Sequence, residues 1–113
     1  MSEQNSMMQF ATKGERGVAR RLVAALVVDG LALSVHDGDE WTVKGSTNGR
    51  EILDALCTTG SDIVSAVDCE GRKVASFVLI WGNDPDGSEL IADGSGDSFE
   101  KYLRRSEFSL YVD

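Results

Sequence analysis

The sequence predicts an α+β fold: one antiparallel sheet of about five strands, with three helices packed mainly on one face, in the order α-ββ-α-βββ-α. Three observations carry this. Apolar residues recur at helical spacing in three stretches, each preceded by a capping residue. Between those stretches they alternate with period two, and Asp-Gly or Glu-Gly dipeptides join strands into hairpins. A chain of 113 residues has the length of one domain.

Residues 1–12 read as a flexible tail and 13–113 as the domain. Thr12 and Glu15 have capping-box spacing, and Val18, Leu22, Ala25 and Leu26 follow on one helical face, so a helix is expected over about 13–28. Leu31, Leu33 and Val35 then alternate with Ala32, Ser34 and His36. Asp37-Gly38 turns the chain into a second strand through Trp41 and Val43. Asn48 and Glu51 cap a short helix carrying Ile52, Leu53 and Leu56. Ile63, Ser65, Val67 and Cys69 alternate in a third strand, which Glu70-Gly71 returns. Residues 74–81 are apolar at nearly every position, the pattern of a central strand covered on both faces. The turn-rich GNDPDG of residues 82–87 precedes a fifth strand at Leu90 and Ile91. Asp97 and Glu100 are spaced as a cap for a last helix with Phe99, Tyr102 and Leu103. Phe108, Leu110 and Val112 alternate, which suits a terminal edge strand or a packed tail.

A shift of 49 residues aligns Asp37-Gly38 with Asp86-Gly87, Glu40 with Glu89, Gly45-Ser46 with Gly94-Ser95, Asn48 with Asp97 and Glu51 with Glu100. This candidate ββα pseudo-repeat has two readings, duplication or convergence on shared turn and cap chemistry.

The chain carries 19 acidic and 11 basic side chains, for a net charge of −8. That sign opposes direct binding to nucleic acid or to an anionic membrane. No stretch has the length of a membrane span, and residues 1–12 lack a signal-peptide pattern, so a cytoplasmic location is expected. The excess charge is local: residues 29–43 and 82–100 contain no basic residue. Asp37, Asp39, Glu40, Asp84, Asp86, Glu89 and Asp93 are therefore the candidate partner-binding residues, facing a protein with a basic surface.

No catalytic motif emerges, and the chain reads as non-enzymatic. Two cysteines and one histidine are too few for a structural zinc site, and Cys57 and Cys69 read as reduced thiols. Neither a GxGxxG fingerprint nor a phosphate loop is present, so no cofactor is expected. In an EF-hand frame with Gly87 at the sixth position, Asp84, Asp86 and Asp93 fall on ligand positions, but Gly82 stands where the first acid belongs. The stretch thus reads as an acidic turn without metal. His36 reads as a surface histidine, and Cys57, at a helix C-terminus, as a poor nucleophile. Lys13, Arg16, Arg20 and Arg21 form a basic strip on the first helix. Trp41 and Trp81 read as core anchors.

Residues 35–56 (VHDGDEWTVKGSTNGREILDAL) and 77–93 (FVLIWGNDPDGSELIAD) resemble small uncharacterised acidic proteins encoded by phages, prophages and related mobile elements. The resemblance covers about residues 30–103 and rests on DGxEW, the ST-Asx helix start, the VLIWGN strand end and the acidic LIxD strand. It implies a protein that binds and blocks host machinery, such as an anti-CRISPR-like inhibitor of a nucleic-acid-handling complex. The alternatives are a structural or regulatory homodimer, joined through residues 108–112 or the first helix, and a small metal-binding protein or enzyme.

Overall fold

The computed structural model describes residues 11–82, Pro85, Gly87 and 90–112, with 107–112 as backbone only. Helix α1 (Lys13–Val28) begins at a reciprocal cap: the Thr12 hydroxyl accepts the Glu15 amide at 3.1 Å, and Glu15 Oε1 accepts the Thr12 amide at 3.0 Å. Both bonds satisfy amides that an α-helix leaves without internal partners. Ala11 is buried and Thr12 caps α1, so these two residues of the expected 1–12 tail belong to the domain, and residues 1–10 lie outside the described residues. A hairpin of β1 (Ala32–His36) and β2 (Trp41–Ser46) follows, then α2 (Gly49–Ala55). Asn48 Oδ1 caps α2 by accepting the amides of Arg50 and Glu51. Strands β3 (Ser61–Val67), β4 (Lys73–Ile80) and β5 (Ile91–Ser95) and helix α3 (Phe99–Val112) complete the chain.

The five strands form one antiparallel sheet in the order β2-β1-β3-β4-β5. The α+β class, the element order and the helix count are as the sequence predicts. The three helices of the described residues lie on one face, with α1 central and touching both α2 and α3. Leu33 and Val35 of β1, Val64 and Ala66 of β3, and Ala75, Phe77 and Leu79 of β4 point into this layer. They meet Val18, Leu22 and Leu26 of α1 and Ile52 of α2 in one buried cluster. Tyr102 and Asp29 close the α1–α3 seam. The phenol donates to Asp29 Oδ2 at 2.6 Å, and Arg105 pairs with the same oxygen at 2.8 Å. Those contacts hold the Asp29 carboxyl below its ordinary range, while burial and the neighbouring carboxylate push the Tyr102 phenol up to about 12.

Four local expectations change. First, among the described residues β4 is covered on one face only: Val74, Ser76 and Val78 are half-buried and Ile80 is exposed, because the three described helices pack on the opposite side. Second, residues 108–112 continue α3 as helix instead of forming an edge strand. Extending an existing helix adds a hydrogen bond per residue fixed, whereas a new edge strand has to be nucleated. Third, α3 starts at Phe99, with the Tyr102 amide bonded to the Ser98 carbonyl, so the cap falls one residue after Asp97. Fourth, Trp41 is exposed on the sheet, not anchored in the core.

The topology resolves the 49-residue shift. Strands β1 and β4 are both antiparallel to β3 and hence parallel to each other. Yet β2 pairs on one side of β1, and β5 on the opposite side of β4. With both helices on the same face, the two strand-strand-helix units have opposite hand, and no rotation superposes them. The two units therefore differ in hand, and they differ in cap as well, since Asn48 caps α2 whereas the cap of α3 falls one residue after Asp97.

Gly94 illustrates how α3 is seated. It pairs with Phe77 on the helix face, and a Cβ built there would fall inside the Phe99 ring. Phe99 in turn stacks at a tilt on Phe77, with ring centroids 5.3 Å apart. Gly94→Ala is expected to destabilise the fold by about 1–3 kcal/mol, the usual cost of overpacking. Urea unfolding should show this loss, and Phe99→Leu in the same background should recover part of it. A Gly94→Ala variant as stable as the parent would mean that α3 does not rest on β5.

Candidate functional site

The face of the sheet away from the helices carries no covering element among the described residues. Strand registry orders its side chains into rows. One row runs across all five strands: Trp41, His36, Ile63, Val78 and Asp93. The next holds Ser34, Ser65, Ser76 and Ser95, and Ala32, Val67 and Lys73 lie beyond it. Ile80, paired with Ser61, borders the first row on its other side. Of the exposed large hydrophobics among the described residues, Trp41 (45%), Ile63 (39%) and Ile80 (37%) are on this face, and Val28 (73%) is elsewhere. The apolar exposure is therefore gathered, not scattered.

Carboxylates stand at both ends of the first row. At the β2 end, Asp37 Oδ1 accepts the amides of Asp39 (2.8 Å) and Glu40 (2.9 Å), which shapes the β1–β2 turn and holds the Asp37 carboxyl below its ordinary range. Asp39 and Glu40 point into solvent, and Thr59 ties the turn to the α2–β3 loop through the Asp37 carbonyl at 3.1 Å. At the β5 end stands Asp93, exposed, with one oxygen accepting the Gly94 amide. Asp29, Asp68, Glu70 and Glu100 each pair with Lys or Arg. None of Asp37, Asp39, Glu40 and Asp93 does so among the described residues. Asp84, Asp86 and Glu89 lie outside the described residues. Their flanks are anchored: the Gly82 amide donates to Glu15 Oε1 at 2.8 Å, and the Gly14 amide to the Pro85 carbonyl at 3.2 Å. Gly87, at φ +80°, packs so close to the Gly14 backbone that no side chain fits.

His36 sits on the open face, opposite Leu33 and Val35. Its Nδ1 accepts the Gly38 amide at 3.0 Å, and its ring meets Trp41 edge-on at 4.9 Å. It is thus a turn and surface residue, with no nucleophile bonded to it among the described residues. Cys57 is buried and Cys69 exposed, and neither is in a disulfide. Among the described residues, no group of three or more His, Cys, Asp or Glu side chains could hold a metal ion. The basic strip of α1 is divided: Lys13 and Arg20 are exposed, whereas Arg21 turns inward and donates to the Ser106 carbonyl at 2.6 Å.

The sequence reading missed the facing of β3. The larger apolar pair, Ile63 and Val67, points outward together with Ser61 and Ser65. Asp62, Val64 and Ala66 point inward. Asp62 is 1% exposed. One of its oxygens accepts the Trp81 indole N–H and the Cys57 amide, each at 2.8 Å, while the other has no hydrogen-bond partner among the described residues. Burial pushes its carboxyl above the ordinary range, against the two donated bonds. The signal for this inversion lay outside β3: Trp81, one residue past β4, is a large side chain whose indole needs an acceptor when buried.

Among the described residues, no helix is long and apolar enough to cross a membrane. Comparisons with protein-family models, curated proteins and solved structures gave no match.

Proposed function

We propose that the chain is a non-enzymatic interaction protein whose carboxylates engage a basic surface on a protein partner. The partner class that fits this charge is a nucleic-acid-handling complex, whose phosphate-binding surface the carboxylates would occupy. An inhibitor carried by a phage or other mobile element is the setting that fits such an activity. One observation carries the reading: Asp37, Asp39, Glu40 and Asp93 flank an open apolar face without pairing to Lys or Arg among the described residues. Carboxylates left without countercharges keep their field for a partner, and steer association with a basic surface.

The test is capture of partners by the full chain from a cell extract, followed by a salt series and by competition with DNA or RNA. The expected result is a complex that dissociates as salt rises and that nucleic acid displaces. Asp39→Asn, Glu40→Gln and Asp93→Asn together should weaken it by about tenfold or more, through loss of charge pairs at the interface. Unchanged capture by this triple variant would overturn the reading.

A further inference from the structure

We propose that the open sheet face is the docking surface: Trp41, His36, Ile63 and Val78 form an apolar centre, and the carboxylates at its ends select a protein surface with an apolar strip flanked by lysine or arginine. This rests on the functional reading above and assigns its site.

Two independent observations favour it. The first is the facing of β3. A sheet under no other demand buries the more apolar parity of each strand. Here the larger apolar pair of β3, Ile63 and Val67, is turned outward, and Asp62 is buried with one oxygen lacking a partner among the described residues. That arrangement costs stability and places Ile63 in the middle of the row. The second is the charge pattern. Across the four gaps from β2 to β5, at about 4.8 Å each, Trp41 and Asp93 stand about 19 Å apart, and the carboxylates of the β1–β2 turn lie next to Trp41 in the chain. A partner with cations at that separation gains at both ends, while its apolar strip covers Trp41 and Ile63. The neighbouring serine row has short side chains, so nothing tall stands beside the strip. A second copy of this chain is a poor occupant. It would bring the same carboxylates and a charge of −8 against themselves.

The experiment is an amide-resolved NMR titration of the full chain with two synthetic peptides. One carries an apolar strip between two lysine pairs; the control has the same charge and no apolar residue. The expected result is tighter binding of the first peptide, with shifts confined to the outward rows. Trp41→Thr combined with Ile63→Thr should weaken it by about tenfold or more, as for buried aromatic anchors. Both sites are exposed and threonine suits strands, so the thermal midpoint should not move. Equal binding of the two peptides, or shifts centred on the helix layer, would overturn the inference. So would a dimer in light scattering that the same double variant dissociates. If charge neutralisation releases the captured partner but the double variant retains it, the docking site is wrong and the functional reading stands. If neither releases it, both fall.

Discussion

Replacing Phe77 with alanine is expected to cost about 3–5 kcal/mol, a large part of the stability of an ordinary domain. Phe77 is fully buried near the middle of the sheet, between Val64 on β3 and Gly94 on β5, and the ring of Phe99 packs on it. Truncation removes aromatic area and leaves a cavity beneath α3 that its neighbours fill only in part. Denaturant unfolding at neutral pH measures the loss. The adjacent residue supplies the control: Val78 points to the open face, so Val78→Ala should cost less than about 1 kcal/mol. Equal losses at the two positions would contradict the one-sided core.

Asp62 separates hydrogen bonding from charge. Asp62→Ala removes the oxygen that accepts the buried Trp81 indole N–H and the Cys57 amide, and is expected to cost about 2–4 kcal/mol. Asp62→Asn keeps a carbonyl oxygen for both donors and removes the ionisable group, so it should stay within about 1 kcal/mol of the parent. The pH dependence has a defined sign. A carboxyl whose pKa is raised by folding contributes most below its unfolded value, here 3.8, and that contribution is lost as pH rises through the raised value. The parent should therefore be strongest relative to Asp62→Asn in acid, and lose ground as pH climbs above about 4 towards neutrality. Comparing the two chains cancels the opposite trend from Asp29, Asp37 and Asp68, whose carboxyls are lowered in both. Parallel stability curves for the two chains would refute a strained carboxylate at this position.

The fold was legible where its causes are local. Thr12 with Glu15 and Asn48 with Glu51 mark helix starts through bonds that span three residues or fewer. Asp37-Gly38 marks a hairpin whose turn bonds likewise stay within the turn. Where two local signals competed, the reading failed. Phe108, Leu110 and Val112 fit a strand by alternation, but α3 runs through them. Asp97 fits a cap by spacing, but the helix begins one residue later.

The candidate site was legible only in part. Charge counting identified Asp37, Asp39, Glu40 and Asp93, because an acidic stretch without basic residues is visible in any linear reading. The apolar half of the surface was not visible. Trp41 looks like a core residue by type, and Ile63 by its alternation with Ser65. Their exposure follows from which face the helices cover, and no residue near them in sequence encodes that.

By itself, then, the sequence determined the α-ββ-α-βββ-α order, the helix caps and the hairpin turns, because each depends on hydrogen bonds between close neighbours. Only the tertiary structure decided the strand order, the outward facing of Ile63 and the buried facing of Asp62. It also decided that the 49-residue shift relates units of opposite hand. These depend on which distant segments pack together. Trp81, beyond β4, supplies the indole that meets Asp62 on β3, and β5 brings Asp93 into line with Trp41 across the full width of the sheet.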